Sequence, residues 1–183
     1  SLVRLREMGK KVIQLEDINT LSLQLNAITD EALILKSFNN RLTQFFGSKL
    51  IISFHCNNEE NCLIEFDNQR DKRYLNDDIA MIKLLLKDLD LQFESEAKMI
   101  CSDELSSLAR HFGYQADHIA LFFFPVSKES YFVSVVNISP ITQNNEVLQI
   151  LMSQIQLSMV NCTTDNESRF YYQFHEQLLD NMI

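Results

Sequence analysis

The sequence predicts an α+β domain, with an antiparallel sheet flanked by helices at both ends of the chain and interrupted by a helical insert. Three observations predict it. Segments with apolar residues every three or four positions occupy both ends, while strand-like runs gather between them. Two of those runs, 118–126 and 130–138, are almost continuously apolar, as expected of strands covered on both faces. Only three Gly and two Pro occur in 183 residues, which favours long elements and few tight turns.

Residues 2–28 read as a helix. Leu5, Met8, Val12 and Leu15 step by three and four, the spacing of a coiled-coil seam, and the stripe then drifts to Ile18, Leu21, Leu25 and Ile28. Thr29 or Asp30 can cap a second helix with Glu31 in its first turn. Its apolar face is Ile34, Phe38, Leu42 and Phe45, and Gly47 closes it in the left-handed conformation.

A hairpin follows, with strands over 49–56 and 61–66 around the turn-rich NNEEN segment. Pairing Cys56 with Cys62 places Ile52, Phe54, Cys56, Cys62, Ile64 and Phe66 on one face. Ser53, His55 and Glu65 then share the other face. Beyond a polar loop, a helix over 78–89 carries Ile79, Ile82, Leu86 and Leu89, with Asp77 as its cap. Residues 97–101 form a short strand. Ser102 caps a brief helix with Asp103 and Glu104 in its first turn, Leu105, Leu108, Ala109 and Phe112 on its buried stripe, and Gly113 at its end. After the two long strands, Pro140 breaks the chain. A helix over 144–162 is apolar at Val147, Leu148, Leu151, Ile155 and Met159. A polar joint at 163–166 then leads to a last helix carrying Phe170, Tyr171, Phe174, Leu178 and Met182.

Composition excludes several functions. With 16 Lys and Arg against 25 Asp and Glu, the net charge of −9 leaves no basic face for a nucleic-acid backbone. The longest apolar run, 119–126, is far short of the roughly 20 residues of a membrane-spanning helix, so no membrane contact is expected within this chain. Four scattered cysteines lack paired zinc-site spacing, and neither phosphate-binding glycine motif occurs. A soluble domain of the reducing cytoplasm is the resulting expectation.

The order of these elements resembles a GAF domain over residues 15–162. Residues 15–34, LEDINTLSLQLNAITDEALI, look like the family's opening, where one helix breaks before an acidic residue starts the next. The AKMICSD segment at 97–103 is similar to its short strand ending at an acidic residue. The HIALFFFPV segment at 118–126 is similar to its strand ending in Pro and an apolar residue. The resemblance divides the chain into an N-terminal signalling and dimerisation helix at 1–28, a GAF-like domain at 29–162, and a linker helix at 163–183 leading to a downstream output domain. Such outputs are commonly PAS, diguanylate-cyclase or histidine-kinase modules.

The resemblance also implies a small-molecule pocket between the sheet and the helical insert of residues 68–112. Its candidate walls are Phe54, Ile82, Leu86, Met99, Leu108, His111, Phe122 and Phe124, with Asp103, Tyr114 and Ser134 as further polar groups. The alternative is that these residues fill a core, the commoner use of such stripes. The Asn-Lys-Phe-Asp-Glu set of cyclic-nucleotide-binding members is missing, as is a chromophore-attaching Cys beside a His, so the cofactor is unknown. No metal site is expected, because His111 and His118 lie on different elements. A redox role would rest on Cys56 and Cys62 as cross-strand neighbours, or on Cys101, the one cysteine near the insert. No catalytic residue is assigned.

The terminal helices carry the strongest functional signal. The seam of Leu5, Met8, Val12 and Leu15 precedes the domain, and Phe174, Leu178 and Met182 follow it. Apolar stripes outside a domain's own core require a cover, and a parallel homodimer covers both at once. The expected function is a sensory and regulatory module, or alternatively a dimerising spacer without a ligand.

Overall fold

A computed structural model describes the backbone of residues 30–181 and the side chains of 30–163, position 92 excepted. The predicted helix over 2–28, with Leu5, Met8, Val12 and Leu15, lies outside the described residues, as do Met182 and the side chains of Phe174 and Leu178.

The order is α1 (Asp30–Phe46), β1 (Lys49–Asn57), β2 (Glu60–Phe66), α2 (Leu75–Asp88), β3 (Lys98–Cys101), α3 (Ser106–Phe112), β4 (Ile119–Pro125), β5 (Ser130–Asn137), α4 (Pro140–Gln143) and α5 (Glu146–Asn181). Five antiparallel strands pair in the order β2-β1-β5-β4-β3. The sheet is open and the fold α+β, as the order of elements predicts.

Two cores sandwich the sheet. Strand alternation decides which residue enters which: on β4, Ile119, Leu121 and Phe123 face the insert built from α2 and α3, while Ala120, Phe122 and Phe124 face α1 and α5. Every residue of β4 is buried, and β5 is buried from Phe132 to Val136. That is the signature of strands covered on both sides.

α1 buries Ala32, Leu35, Phe38 and Leu42. Phe45 instead stands 72% exposed and Ile34 is half-buried. The predicted stripe is therefore corrected: the inward face is centred on Phe38, whose ring packs edge-on to Phe122 and Phe124 at 5.1 Å. Gly47 does close the helix, at φ 63°. Asn39 is buried among polar partners, donating to Ser53 Oγ at 3.3 Å and Glu65 Oε2 at 2.9 Å and accepting from the Ser134 hydroxyl. This pins α1 to three strands at once.

The hairpin turn is tighter than the sequence suggests. Asn58 and Glu59 both have positive φ, 50° and 70°, the requirement of a two-residue turn that continues the strand twist. Cys56 consequently faces Asn61, and His55 faces Cys62. An irregularity between Ser53 and Phe54 absorbs the extra residue and turns Ile64 into the helix-side core. The predicted Cys56–Cys62 register is thus corrected, while Ser53 and Glu65 pair as expected.

A short 3-10 turn at Lys72–Tyr74, capped by the Asp71 side chain, leads directly into α2 at Leu75, so Asp77 lies in the first turn and is not its cap. Ser102 opens the 3-10 turn Ser102–Leu105 with φ 63° and makes no cap. Gly113 ends α3 as predicted, at φ 79°. Pro140 starts α4, capped by Ser139.

α5 runs unbroken for 36 residues through the predicted joint at 163–166. Thr163 Oγ1 donates to Glu31 Oε1 at 2.9 Å, holding this part of the helix against the first turn of α1. Leu148, Leu151, Met152, Ile155 and Met159 are buried on its inner side. Val147 is exposed, contrary to the predicted stripe, and joins Ile150 and Leu157 on the outer side. No helix among the described residues is long and apolar enough to cross a membrane.

Candidate functional site

The residues predicted to wall one pocket fall on both sides of the sheet. Phe54, Ile82, Leu86 and Leu108 belong to the insert-side core, whereas Met99, Phe122 and Phe124 belong to the helix-side core. Alternation along β4 makes the separation unavoidable, since Phe122 and Phe124 point away from Phe123. Under the insert, Phe54, Ile82, Leu105 and Leu108 are essentially inaccessible. Asp103 is exposed, and its carbonyl oxygen accepts from the Ser106 hydroxyl at 2.8 Å.

His111 has a structural partner on another helix, 33 residues earlier in the chain. Its Nε2 lies 2.7 Å from Oδ1 of Asp78, a fully buried carboxylate on α2. Arg70 approaches the same carboxylate through Nε at 3.0 Å and Nη2 at 2.8 Å, and its guanidinium lies 4.5 Å from the centre of the Phe112 ring. The trio ties the loop before α2 to both insert helices.

An open space lies at the hairpin end of the insert-side face. There a groove of about 670 Å3 runs between α2, the β1–β2 turn and the β4–β5 turn. Its floor is apolar: Cys56, Leu86, Phe123 and Pro125 are buried, and Tyr131 is half-buried with its ring 5.2 Å from that of Phe123. Pairing of Cys56 with Tyr131, and of Tyr131 with Pro125, brings these residues together from three strands. Burial, and then a hydrogen bond with the Cys56 thiol, push the Tyr131 phenol well above its usual range, so the hydroxyl stays protonated.

The rim is charged. Lys83 and Lys87 come from successive turns of α2, Lys128 and Glu129 from the β4–β5 turn, and Glu59 from the β1–β2 turn. Lys83 Nζ lies 3.4 Å from the Glu59 carbonyl oxygen and 4.0 Å from its carboxylate. Glu59 sits at the mouth of the groove in the left-handed conformation of the hairpin turn, which costs a non-glycine residue about 1 kcal/mol. Glu94 pairs with Lys98 at 3.7 Å.

The floor is also connected to the far side of the sheet. Gln156 of α5 donates from Nε2 to the carbonyl oxygen of Pro125. Its own Oε1 is buried and has no hydrogen-bond partner among the described residues. The groove does lie between the sheet and the predicted insert, and Leu86 is the one predicted wall that lines it. Its lysines went unnamed because they are ordinary surface residues until strand register brings Tyr131 and Lys128 beside α2.

Cys56 and Cys62 lie on opposite sides of the sheet, and none of the four cysteines forms a disulfide among the described residues. Nor do three metal-ligating side chains converge there. No protein-family model matches this chain, and no curated protein is significantly similar to it.

Proposed function

We propose that this chain is the sensory and regulatory part of a longer signal-transduction protein, a cytoplasmic domain of the GAF kind. It dimerises and passes the state of its groove to an output domain of the diguanylate-cyclase, PAS or histidine-kinase type. Its role is regulatory, not enzymatic.

The observation that carries this reading is α5. At 1.5 Å per residue its 36 residues span about 54 Å, yet its last core residue in the described part is Met159. Opposite the buried stripe, Ile150 and Leu157, seven residues apart, are each about 60% exposed, and Val147 is equally exposed on the flank of that outer face. A helix buried on one side, with an apolar seam on the other, suits pairing with a second copy along its length. The bond from Gln156 to Pro125 supports a link between groove and helix, because movement of the β4–β5 turn would pull on α5.

Sedimentation of the full chain tests the reading. A dimer is expected, and the I150E/L157E variant should be monomeric with its far-UV circular dichroism unchanged, since both residues are exposed in the single chain. A strictly monomeric unaltered chain at high concentration would refute it.

One observation favours a second reading, a dimerising spacer without a ligand: Phe54, Ile82, Leu105 and Leu108 beneath the insert are fully buried. In that case the groove is ordinary surface and its occupancy changes nothing at α5.

A further inference from the structure

We propose that the groove at the hairpin end binds a small amphipathic anion, an aromatic or alkyl carboxylate or sulfonate, with its apolar body on the floor and its charge between Lys87 and Lys128. The inference deepens the sensory reading by naming the ligand class of its site.

Size and floor fit such a molecule. A volume of about 670 Å3 lies within the range of pockets for drug-sized ligands. Leu86, Phe123 and Pro125 offer apolar surface, and the Tyr131 ring beside Phe123 offers a flat one. A ligand with a ring or a short chain is wetted on this floor only at the cost of exposing apolar area, so contact is favourable.

Charge decides the head group. The lining holds three lysines and three glutamates, which alone would favour no sign. Neutralisation is uneven, however. Glu59 is engaged by Lys83, and Glu94 is engaged by Lys98, which stands outside the groove. Lys87 and Lys128 have no carboxylate within 4.0 Å among the described residues, leaving two uncompensated ammonium groups against Glu129. In a chain of net charge −9 such a local excess is unusual in sign, and it would attract an anion to this mouth against the average field. The neutral Tyr131 hydroxyl adds no repulsion.

The test uses the full chain and three probes with one ring system: naphthalene-2-acetate, its neutral amide, and 2-(2-naphthyl)ethylamine. Binding is followed by amide chemical shifts and by titration calorimetry. The acetate should perturb Leu86, Phe123 and Tyr131 and bind at least ten times more tightly than the amide or the amine. K87E/K128E should weaken the acetate at least tenfold without moving the melting temperature, because both side chains are exposed. Equal binding of the amide or amine in the groove overturns the anion assignment and leaves sensing intact. No perturbation of the groove by any probe overturns the inference, as does acetate binding unaffected by K87E/K128E. The dimeric regulatory reading is judged separately by sedimentation, so the two failures are distinguishable.

Discussion

Replacing Arg70 by alanine should be among the most damaging single changes to the insert, although Arg70 touches neither sheet nor groove. The reason is the carboxylate it leaves behind. Asp78 has no solvent-accessible side-chain surface, while Arg70 is 21% exposed and donates from two nitrogens to that carboxylate. Breaking a buried ion pair from one side costs about 3–5 kcal/mol. Because His111 still reaches Asp78, the lower end, about 3 kcal/mol, is expected. Loss of the guanidinium from the Phe112 face adds up to about 1 kcal/mol. With a urea slope of about 1–3 kcal/mol per molar, the midpoint should fall by 1 M or more. Removing both charges in R70M/D78L should recover most of the loss, since an apolar pair of similar volume is often neutral. Urea unfolding of R70M, D78L and R70M/D78L completes the cycle. An R70A cost below about 1 kcal/mol, or a double variant no better than R70A, would refute the assignment of Asp78 as a buried charge dependent on Arg70.

Two further outcomes are expected. Asn39→Ala strips partners from two inaccessible hydroxyls, Ser53 and Ser134, and from Glu65, so a loss of about 3 kcal/mol follows from unsatisfied buried groups; thermal unfolding near that of the parent would contradict the pin between α1 and the sheet. Burial holds His55, stacked on Phe132 at 4.1 Å, below its ordinary range against the opposing pull of Glu31. The folded chain therefore binds this proton less readily than the unfolded one, so stability is complete above the unfolded value of about 6.5 and falls as pH drops through it toward the depressed folded value. Melting temperature against pH should fall more steeply for the parent than for H55Q, and identical slopes would remove His55 as the cause.

Much of the architecture was legible in order and spacing. The two continuous apolar runs become the doubly covered β4 and β5, and Gly47 and Gly113 end their helices where a left-handed residue is required. These are local effects, fixed by side-chain period and backbone sterics, and a linear sequence displays them. Of the groove's lining, only Leu86 was named from the sequence. Phe122 and Phe124 share aromatic character with Phe123 but face the opposite core, and only the absolute register of β4 determines which of the three meets the insert. The Cys56–Cys62 pairing failed for a related reason: a two-residue turn with positive φ at Glu59 is unfavourable locally and is selected by the sheet around it.

Within the described residues, the sequence by itself thus determined the five strands and the main helices, though not the continuity of α5 through 163–166, because those choices rest on periodicity and chain stiffness. Tertiary structure alone decided that Asp78 gathers Arg70 and His111, that Phe122 and Phe124 turn away from the insert, and that two unpaired lysines stand over an apolar floor. Each of those depends on residues far apart in the chain meeting at distances of a few ångströms, and such distances are set by how the layers dock.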